Sequence, residues 1–156
     1  EDGNRGCIAQ MVALYEQKQC SILGVERVDP SETDKYGIVR TAEFTGSTGV
    51  IEHIVEKPKP AVAPSNLAVV GRYILSPAIF DKIDKTGRGA GGEIQLTDAI
   101  ADLLKDEQVL AFEFEGTRYD CGAKLGFLIA TVEYGLLHSE LKEGFLAYLK
   151  DLARTL

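Results

Sequence analysis

An α/β fold built on a mixed sheet is the class this sequence predicts, and three observations carry it. Short apolar runs rich in β-branched residues alternate with segments whose apolar residues recur at helical spacing. Hydrophobic residues make up 45% of the 156 positions and charged residues 26%, the balance of a globular chain able to bury a core. No internal repeat or low-complexity tract interrupts the alternation.

The elements follow in order. Ile8, Met11, Val12 and Tyr15 fall at helical spacing and predict a helix over about 6–18. "SILGVERV" (21–28) is short and apolar and reads as a mostly buried strand. Pro30, Ser31 and Asp34 make a loop, and "YGIVR" (36–40) is a short strand. "GVIEHIVEKP" (49–58) is a longer one, stopped by Pro58, which lacks the ladder donor. Three prolines make 58–66 irregular, and "LAVVGRYIL" (67–75) is a strand with an unusual interior glycine, Gly71. Pro77 opens a short helix over 77–84, where its missing donor does no harm. "TGRGAGG" (86–92) is loop, and Leu96, Ala99, Ile100, Leu103 and Leu104 mark a helix to about 106. "VLAFEFEG" (109–116) alternates, with Leu110, Phe112 and Phe114 on one face of a strand. Two closing helices are lined by Leu125, Leu128, Ile129, Val132 and Leu136, and by Leu141, Phe145, Tyr148, Leu149 and Leu152. Gly144 weakens the second slightly.

Bulk properties exclude several classes. A net charge of −7 argues against a broad nucleic-acid footprint, which needs clustered Lys and Arg. One or two local cations could still hold a small phosphate. No apolar run approaches membrane-spanning length. Cys7, Cys20 and Cys121 are odd in number and show no CxxC spacing, so neither a disulfide framework nor a zinc site is indicated, and a reducing cytoplasm is the simplest setting. The opening "EDGNRG" is acidic and polar, unlike a signal peptide, and does not begin with Met, so a fragment is expected. The Gly-rich strand–turn–helix usual near the start of a nucleotide-binding α/β protein is missing.

Four stretches could carry chemistry. In "VEKPK" (55–59) a strand end presents Glu56 and Lys57 on opposite faces before Pro58. Lys57 could hold a phosphate as a point charge and Glu56 could accept from sugar hydroxyls, or both are solvated charges. In "GGEIQLTD" (91–98), Thr97 is a plausible N-cap and Asp98 in the first turn complements the helix dipole, which leaves Glu93 and the glycines unexplained. In "RYDCG" (118–122), Asp120 at a strand end before glycine could meet a hard cation such as Mg²⁺, or cap its own backbone in an Asx turn. Gly71, with Asn66 nearby, could admit a ring-shaped ligand against the backbone, or mark a bulge. His53 and His138 have too few partners for a metal centre. Cys121 reads as a small buried side chain rather than a nucleophile, since no paired His is evident.

The order of these motifs is more specific than any one of them. "EKPKPAVAPSNLAVVGRYIL", then "GAGGEIQLTDAI", then "YDCGAKLGFLIATVEYGLLH" resembles the bacterial UTP–glucose-1-phosphate uridylyltransferases, most strongly from Tyr36 to His138. Thymidylyl- and adenylyltransferases share the "EKP" and "D-x-G" elements, while "GEIQLTDAI" and "YDCG" are closer to the uridylyl branch. The resemblance implies a Rossmann-like nucleotidyltransferase fold in which UTP and glucose 1-phosphate give UDP-glucose and pyrophosphate. Mg²⁺ would clamp the phosphates, without a covalent enzyme intermediate. It implies that Lys57 holds the phosphate of the sugar phosphate or product and that Glu56 binds sugar hydroxyls. Tyr36–Gly37 and Val70–Gly71 would line the sugar through backbone groups. Asp120 would bind the metal, and Glu93 and Asp98 would shape the pocket.

Members of that family are roughly twice this length. The nucleotide loop, the uracil pocket and the first metal aspartate of the family have no counterpart here. Residues 1–156 are therefore expected to be the C-terminal, sugar-binding part of one nucleotidyltransferase domain, ending in a helical segment over about 124–156. Alone, the chain is expected to be inactive. Homo-oligomers are expected through the apolar faces of the last two helices, unless those faces simply cover the sheet. A sibling enzyme using dTTP or ATP, and a non-catalytic sugar-phosphate-binding domain, remain the alternatives.

Overall fold

The computed structural model describes residues 6–89 and 92–155. Glu1–Arg5, the start of the acidic N-terminal stretch, and Ala90–Gly91, within the expected glycine loop, lie outside the described residues. The chain divides into two compact units, Glu1–Gly116 and Thr117–Leu156.

The first unit carries α1 (Cys7–Lys18), β1 (Ser21–Arg27), β2 (Gly37–Thr41), β3 (Thr48–Glu56), β4 (Leu67–Ile74), α2 (Ala78–Lys85), α3 (Leu96–Leu103) and β5 (Val109–Glu113). Short 3₁₀ segments occupy Pro30–Lys35 and Pro60–Val62. The mixed sheet expected from the sequence is present: β5 runs parallel to β1 and every other pairing is antiparallel. Its strands close on themselves in the order β1-β4-β2-β3-β5. The length of β3 makes closure possible. Ile51–Glu56 pairs with β2, while Thr48–Val50 has passed to β5. Gly49 stands at this change of partner, and a Cβ there would fall 2.8 Å from the Phe44 ring, so the glycine lets that ring lie on the strand.

Both faces of the sheet are covered, which explains the continuous apolar runs of β1 and β5. Leu23, Val25, Val109 and Ala111 pack with Ile79 of α2 and with Ala99, Ile100 and Leu103 of α3. Ile22, Leu110 and Phe112 pack with Met11, and Phe114 lies against them as its alternation with the other two aromatic-face residues requires. The buried stripe of α1 is rotated from the expected one. Cys7, Met11, Leu14 and Tyr15 face the sheet, whereas Ile8 and Val12 are exposed.

Polar contacts fix the ends of the elements. Lys82 of α2 bridges Asp102 and Asp106 at 2.9 and 2.6 Å, joining α2 to the end of α3. Lys105 and Lys82 together hold the Asp102 carboxyl at about 2, well below the usual carboxylate range. Glu107 accepts from the Ser21 hydroxyl at 2.7 Å and from the Ser76 hydroxyl at 2.8 Å, and Ser21 Oγ accepts the Ser76 N–H at 2.9 Å. This cluster joins the start of β1, the end of β4 and the entry to β5. No buried side-chain polar atom among the described residues lacks a partner.

The second unit carries α4 (Lys124–Leu137) and α5 (Lys142–Ala153). They approach closely because Gly135 has no side chain: a Cβ there would sit 2.8 Å from the Phe145 ring. Several of the apolar residues read from the sequence are exposed, among them Leu125, Leu128, Ile129, Leu141 and Tyr148. Among the described residues, no helix is long and apolar enough to cross a membrane.

The Glu107 cluster gives a direct test. Glu107→Ala strands two hydroxyls, one of them on fully buried Ser21, and is expected to cost about 1–3 kcal/mol in the full-length protein, measured by urea unfolding. An unchanged midpoint would show that the cluster does not join the three elements energetically.

Candidate functional site

The site is built at the corner where β3 ends beside the start of β2. Gly37 and Glu56 are ladder partners, and one residue later the Lys57 N–H donates to the Tyr36 carbonyl at 3.0 Å. Lys57 then leaves the strand with φ 44°, in the left-handed region that side-chain-bearing residues rarely occupy. Pro58 follows, and the Thr33 hydroxyl lies 3.2 Å from the Pro30 carbonyl and 3.4 Å from the Pro58 carbonyl, tying the preceding 3₁₀ segment to the chain just past the corner.

This turn corrects one expectation. Strict strand alternation would send Glu56 and Lys57 to opposite faces, but the positive φ breaks the alternation. Lys57 Nζ lies 3.7 Å from Glu56 Oε1. The carboxylate side chain is 17% exposed and the lysine side chain 59%, so a shielded acceptor sits beside an accessible cation.

The start of α3 covers this corner. Thr97 is not the N-cap: that position is Gln95, whose side chain makes no capping bond. Thr97 is the second residue of the helix, 6% exposed, and donates from Oγ1 to Glu56 Oε2 at 3.0 Å. A Cβ on Gly37 would fall 2.8 Å from Thr97 Cγ2 and 3.4 Å from Glu56 Oε2. The absence of a side chain at 37 therefore lets the helix seat on the strand pair. Burial, with the Glu56 charge as a second cause, pushes the Tyr73 phenol of β4 up.

The remaining candidates of this unit lie around α3 and β4. Asp98 is in the first turn of α3, as expected, and its Oδ2 lies 2.5 Å from where a Cβ on Gly89 would be. Glu93 is exposed and its carbonyl accepts the Gly89 N–H at 2.9 Å, closing the glycine loop. Gly71 has φ 74°, and the space where its Cβ would be is open. It belongs to a bulge, because Leu23 pairs with Tyr73 and Val25 with Val69, leaving Val70, Gly71 and Arg72 opposite Gly24 alone. A bulge with an αL glycine is compatible with ligand approach as well as with the purely structural reading.

Asp120 belongs to the second unit. Its Oδ1 accepts the Gly122 N–H at 3.0 Å, and its carbonyl accepts the Ala123 N–H at 3.2 Å. This is the Asx turn that the sequence allowed. The Asp120 carbonyl also occupies the place a Cβ on Gly126 would need, so the glycine lets the turn fold over the first turn of α4. Cys121 is exposed rather than buried, because the turn runs over the surface of its unit. The described residues contain no group of three His, Cys, Asp or Glu arranged to hold a metal ion.

Sequence reasoning missed the hydrogen bond that Thr97 makes to Glu56. The signal for Thr97 was available: it shares the inward stripe of α3 with Ile100 and Leu104, and a hydroxyl on such a stripe needs a partner.

The sequence and the mixed α/β fold that carry this corner match a known class. The chain matches the nucleotidyl transferase family over residues 5–135 and belongs to it. Its relatives include a UTP–glucose-1-phosphate uridylyltransferase 2 of Staphylococcus saprophyticus, 44% identical over 151 residues, covering 97% of this chain and 52% of the relative. Another, a UTP–glucose-1-phosphate uridylyltransferase of Staphylococcus epidermidis, is 46% identical over 145 residues, covering 93% and 50%. A solved UDP-glucose pyrophosphorylase complexed with UDP-glucose is 41% identical, with a TM-score of 0.81 over 86% of this chain and 51% of that one. The UTP-bound enzyme from Acinetobacter baumannii is 39% identical, with a TM-score of 0.84 over 97% and 53%. The chain spans about half the length of the curated relatives it matches.

Two substitutions test the corner. Gly37→Ala is expected to destabilise the full-length protein by about 1–3 kcal/mol, read by urea unfolding, because the new methyl meets Thr97. A neutral result would mean that α3 can back away freely. Lys57→Gly is expected to raise stability by about 1 kcal/mol by removing the left-handed penalty, read as a higher Tm than that of Lys57→Ala. Equal melting temperatures for the two variants would show that the turn stores no strain.

Proposed function

We propose that this chain carries the sugar-phosphate-binding half of a UTP–glucose-1-phosphate uridylyltransferase, which forms UDP-glucose and pyrophosphate. The observation that carries the reading is the Glu56–Lys57 corner: a shielded carboxylate and an accessible ammonium 3.7 Å apart, suited to a ligand with hydroxyls at one end and a phosphate at the other. The uridylyltransferase names of the relatives narrow the ligand to a sugar 1-phosphate and the donor to UTP.

In this reading an oxygen of the glucose 1-phosphate attacks the α-phosphorus of UTP in line. A new P–O bond forms, the bond to the β-phosphate breaks, and pyrophosphate leaves with the electron pair. Lys57 holds the phosphate as a point charge, and Glu56 accepts from sugar hydroxyls. Tyr36–Gly37 and Val70–Gly71 offer backbone surface to the sugar, while Glu93 and Asp98 shape the loop and helix beside it. Positioning and charge neutralisation supply the rate, with no covalent enzyme intermediate.

Asp120 fits Mg²⁺ as a single carboxylate ligand, since this ion is commonly held by one or two carboxylates, substrate phosphates and waters. Its Oδ1 already accepts a backbone N–H, which orients the carboxylate. When bound, the ion supplies charge neutralisation to the phosphates.

The full-length protein is expected to release pyrophosphate from UTP and glucose 1-phosphate with Mg²⁺, and to prefer UTP over dTTP and ATP. Lys57→Ala is expected to lower kcat/KM roughly ten- to a hundredfold with the fold intact by circular dichroism, from the loss of a charge-assisted contact. Absence of turnover with every nucleotide would favour a non-catalytic sugar-phosphate-binding domain. Near-full activity of Lys57→Ala would leave that lysine a solvated surface charge.

A further inference from the structure

We propose that Thr97 is a positioning residue for the sugar phosphate, acting through Glu56. The inference rests on the reading of Glu56 as the acceptor of sugar hydroxyls. Three observations support it. Thr97 is 6% exposed, so its hydroxyl cannot turn to water and is committed to Glu56 Oε2 at 3.0 Å. Its methyl lies over Gly37, 2.8 Å from where a Cβ would be, so the bare glycine backbone is what lets Thr97 sit this close to the strand that carries Glu56. Glu56 Oε1, the oxygen that Thr97 leaves alone, is the one 3.7 Å from Lys57 Nζ.

The consequence is a carboxylate whose two oxygens have separate tasks. Oε2 is anchored inward by a helix residue, and Oε1 is turned toward the cation and the accessible side. An unanchored glutamate at a strand end would sample several χ3 orientations and lose ordering entropy on each binding event. Anchoring it in advance removes that cost, which is preorganisation of a binding group by a neighbour. Thr97 touches neither ligand nor reacting atoms in this scheme. Its effect is confined to the affinity for the sugar phosphate and does not extend to the nucleotide or to the chemical step.

The test is steady-state kinetics of the full-length protein with Thr97→Val, Thr97→Ser, Glu56→Ala and the Thr97→Val/Glu56→Ala double variant. Valine keeps the shape and the methyl but loses the donor, and serine keeps the donor. The expected result is a KM for glucose 1-phosphate raised roughly tenfold by Thr97→Val, with kcat and the KM for UTP within about twofold. Thr97→Ser restores most of the loss, and Thr97→Val adds nothing further once Glu56 is alanine. If Glu56→Ala raises the KM for glucose 1-phosphate and Thr97→Val leaves it unchanged, the positioning role is overturned and the site reading stands. The positioning role is also overturned if Thr97→Val lowers kcat or raises the UTP KM to the same extent, or acts equally in the Glu56→Ala background. If Glu56→Ala itself leaves the KM for glucose 1-phosphate unchanged, the reading of the site falls and Thr97 falls with it.

Discussion

The close approach of α3 to the β2–β3 ladder at Gly37 is the constraint on which the corner depends. Thr97 Cγ2 occupies the space that any larger residue at 37 would claim, so the helix start rests on backbone rather than on side chains. At that separation the Thr97 hydroxyl reaches Glu56 Oε2 at 3.0 Å. The apolar residues Ala99, Ile100 and Leu103 then continue into the core, so the same helix is held by burial along its length and by one polar contact at its start. Burial of those three side chains supplies most of the attachment, since a hydrogen bond contributes only about 0.5–1.5 kcal/mol net between neutral groups and about 1.5–3 kcal/mol where one is charged. The polar contact matters for where the carboxylate sits.

The strands of the sheet depart repeatedly from regular geometry. β4 bulges at Val70–Arg72, the β2–β3 register shifts between Arg40 and Thr41, and Lys57 turns left-handed. Each departure re-aims a residue that a regular ladder would send elsewhere. Gly24 accommodates the β4 bulge from across the pair: a Cβ there would stand 3.3 Å from Arg72 Cβ and 3.4 Å from Met11 Sδ. Strained or irregular backbone persists where surrounding structure over-determines it. At Lys57 that surrounding structure is identifiable: the N–H to the Tyr36 carbonyl on one side, and Pro58 beside the Thr33 hydroxyl on the other.

Periodicity made most elements of the chain legible in the sequence to within a few residues, because burial on one or both faces imposes it. What it could not show was non-local. Closure of the strands depends on β3 serving two partners, which no local window reveals. The stripe of α1 was misjudged because Ile8 and Val12 match helical spacing as well as Leu14 does, and only the sheet decides which stripe faces inward. Glu56 and Lys57 were legible as a pair, but their shared side was not, since a period of two assumes that φ stays negative. Thr97 looked like a cap because threonine commonly is one; its use as a donor to a strand forty-one positions away needs the fold. Asp120 was legible as an Asx turn, while a role toward a cation needs the phosphates of a substrate to become visible.

At three places in this chain glycine and carboxylate occur together for one physical reason. A carboxylate that must keep a set direction is most simply pinned against backbone, and a side chain on the opposing residue would push it away. Gly37 leaves 3.4 Å to Glu56 Oε2, Gly122 leaves 3.1 Å to Asp120 Oδ1, and Gly89 has Asp98 Oδ2 where its Cβ would stand. These are requirements of contact, not of dihedral freedom, because none of the three has a positive φ. Gly71 and Gly92 differ: their φ values of 74° and 79° ask for glycine whatever surrounds them. Glycines beside the acids of this chain therefore divide into those that admit a neighbour and those that permit a turn, and the first kind keeps the Glu56, Asp98 and Asp120 carboxylates where they are.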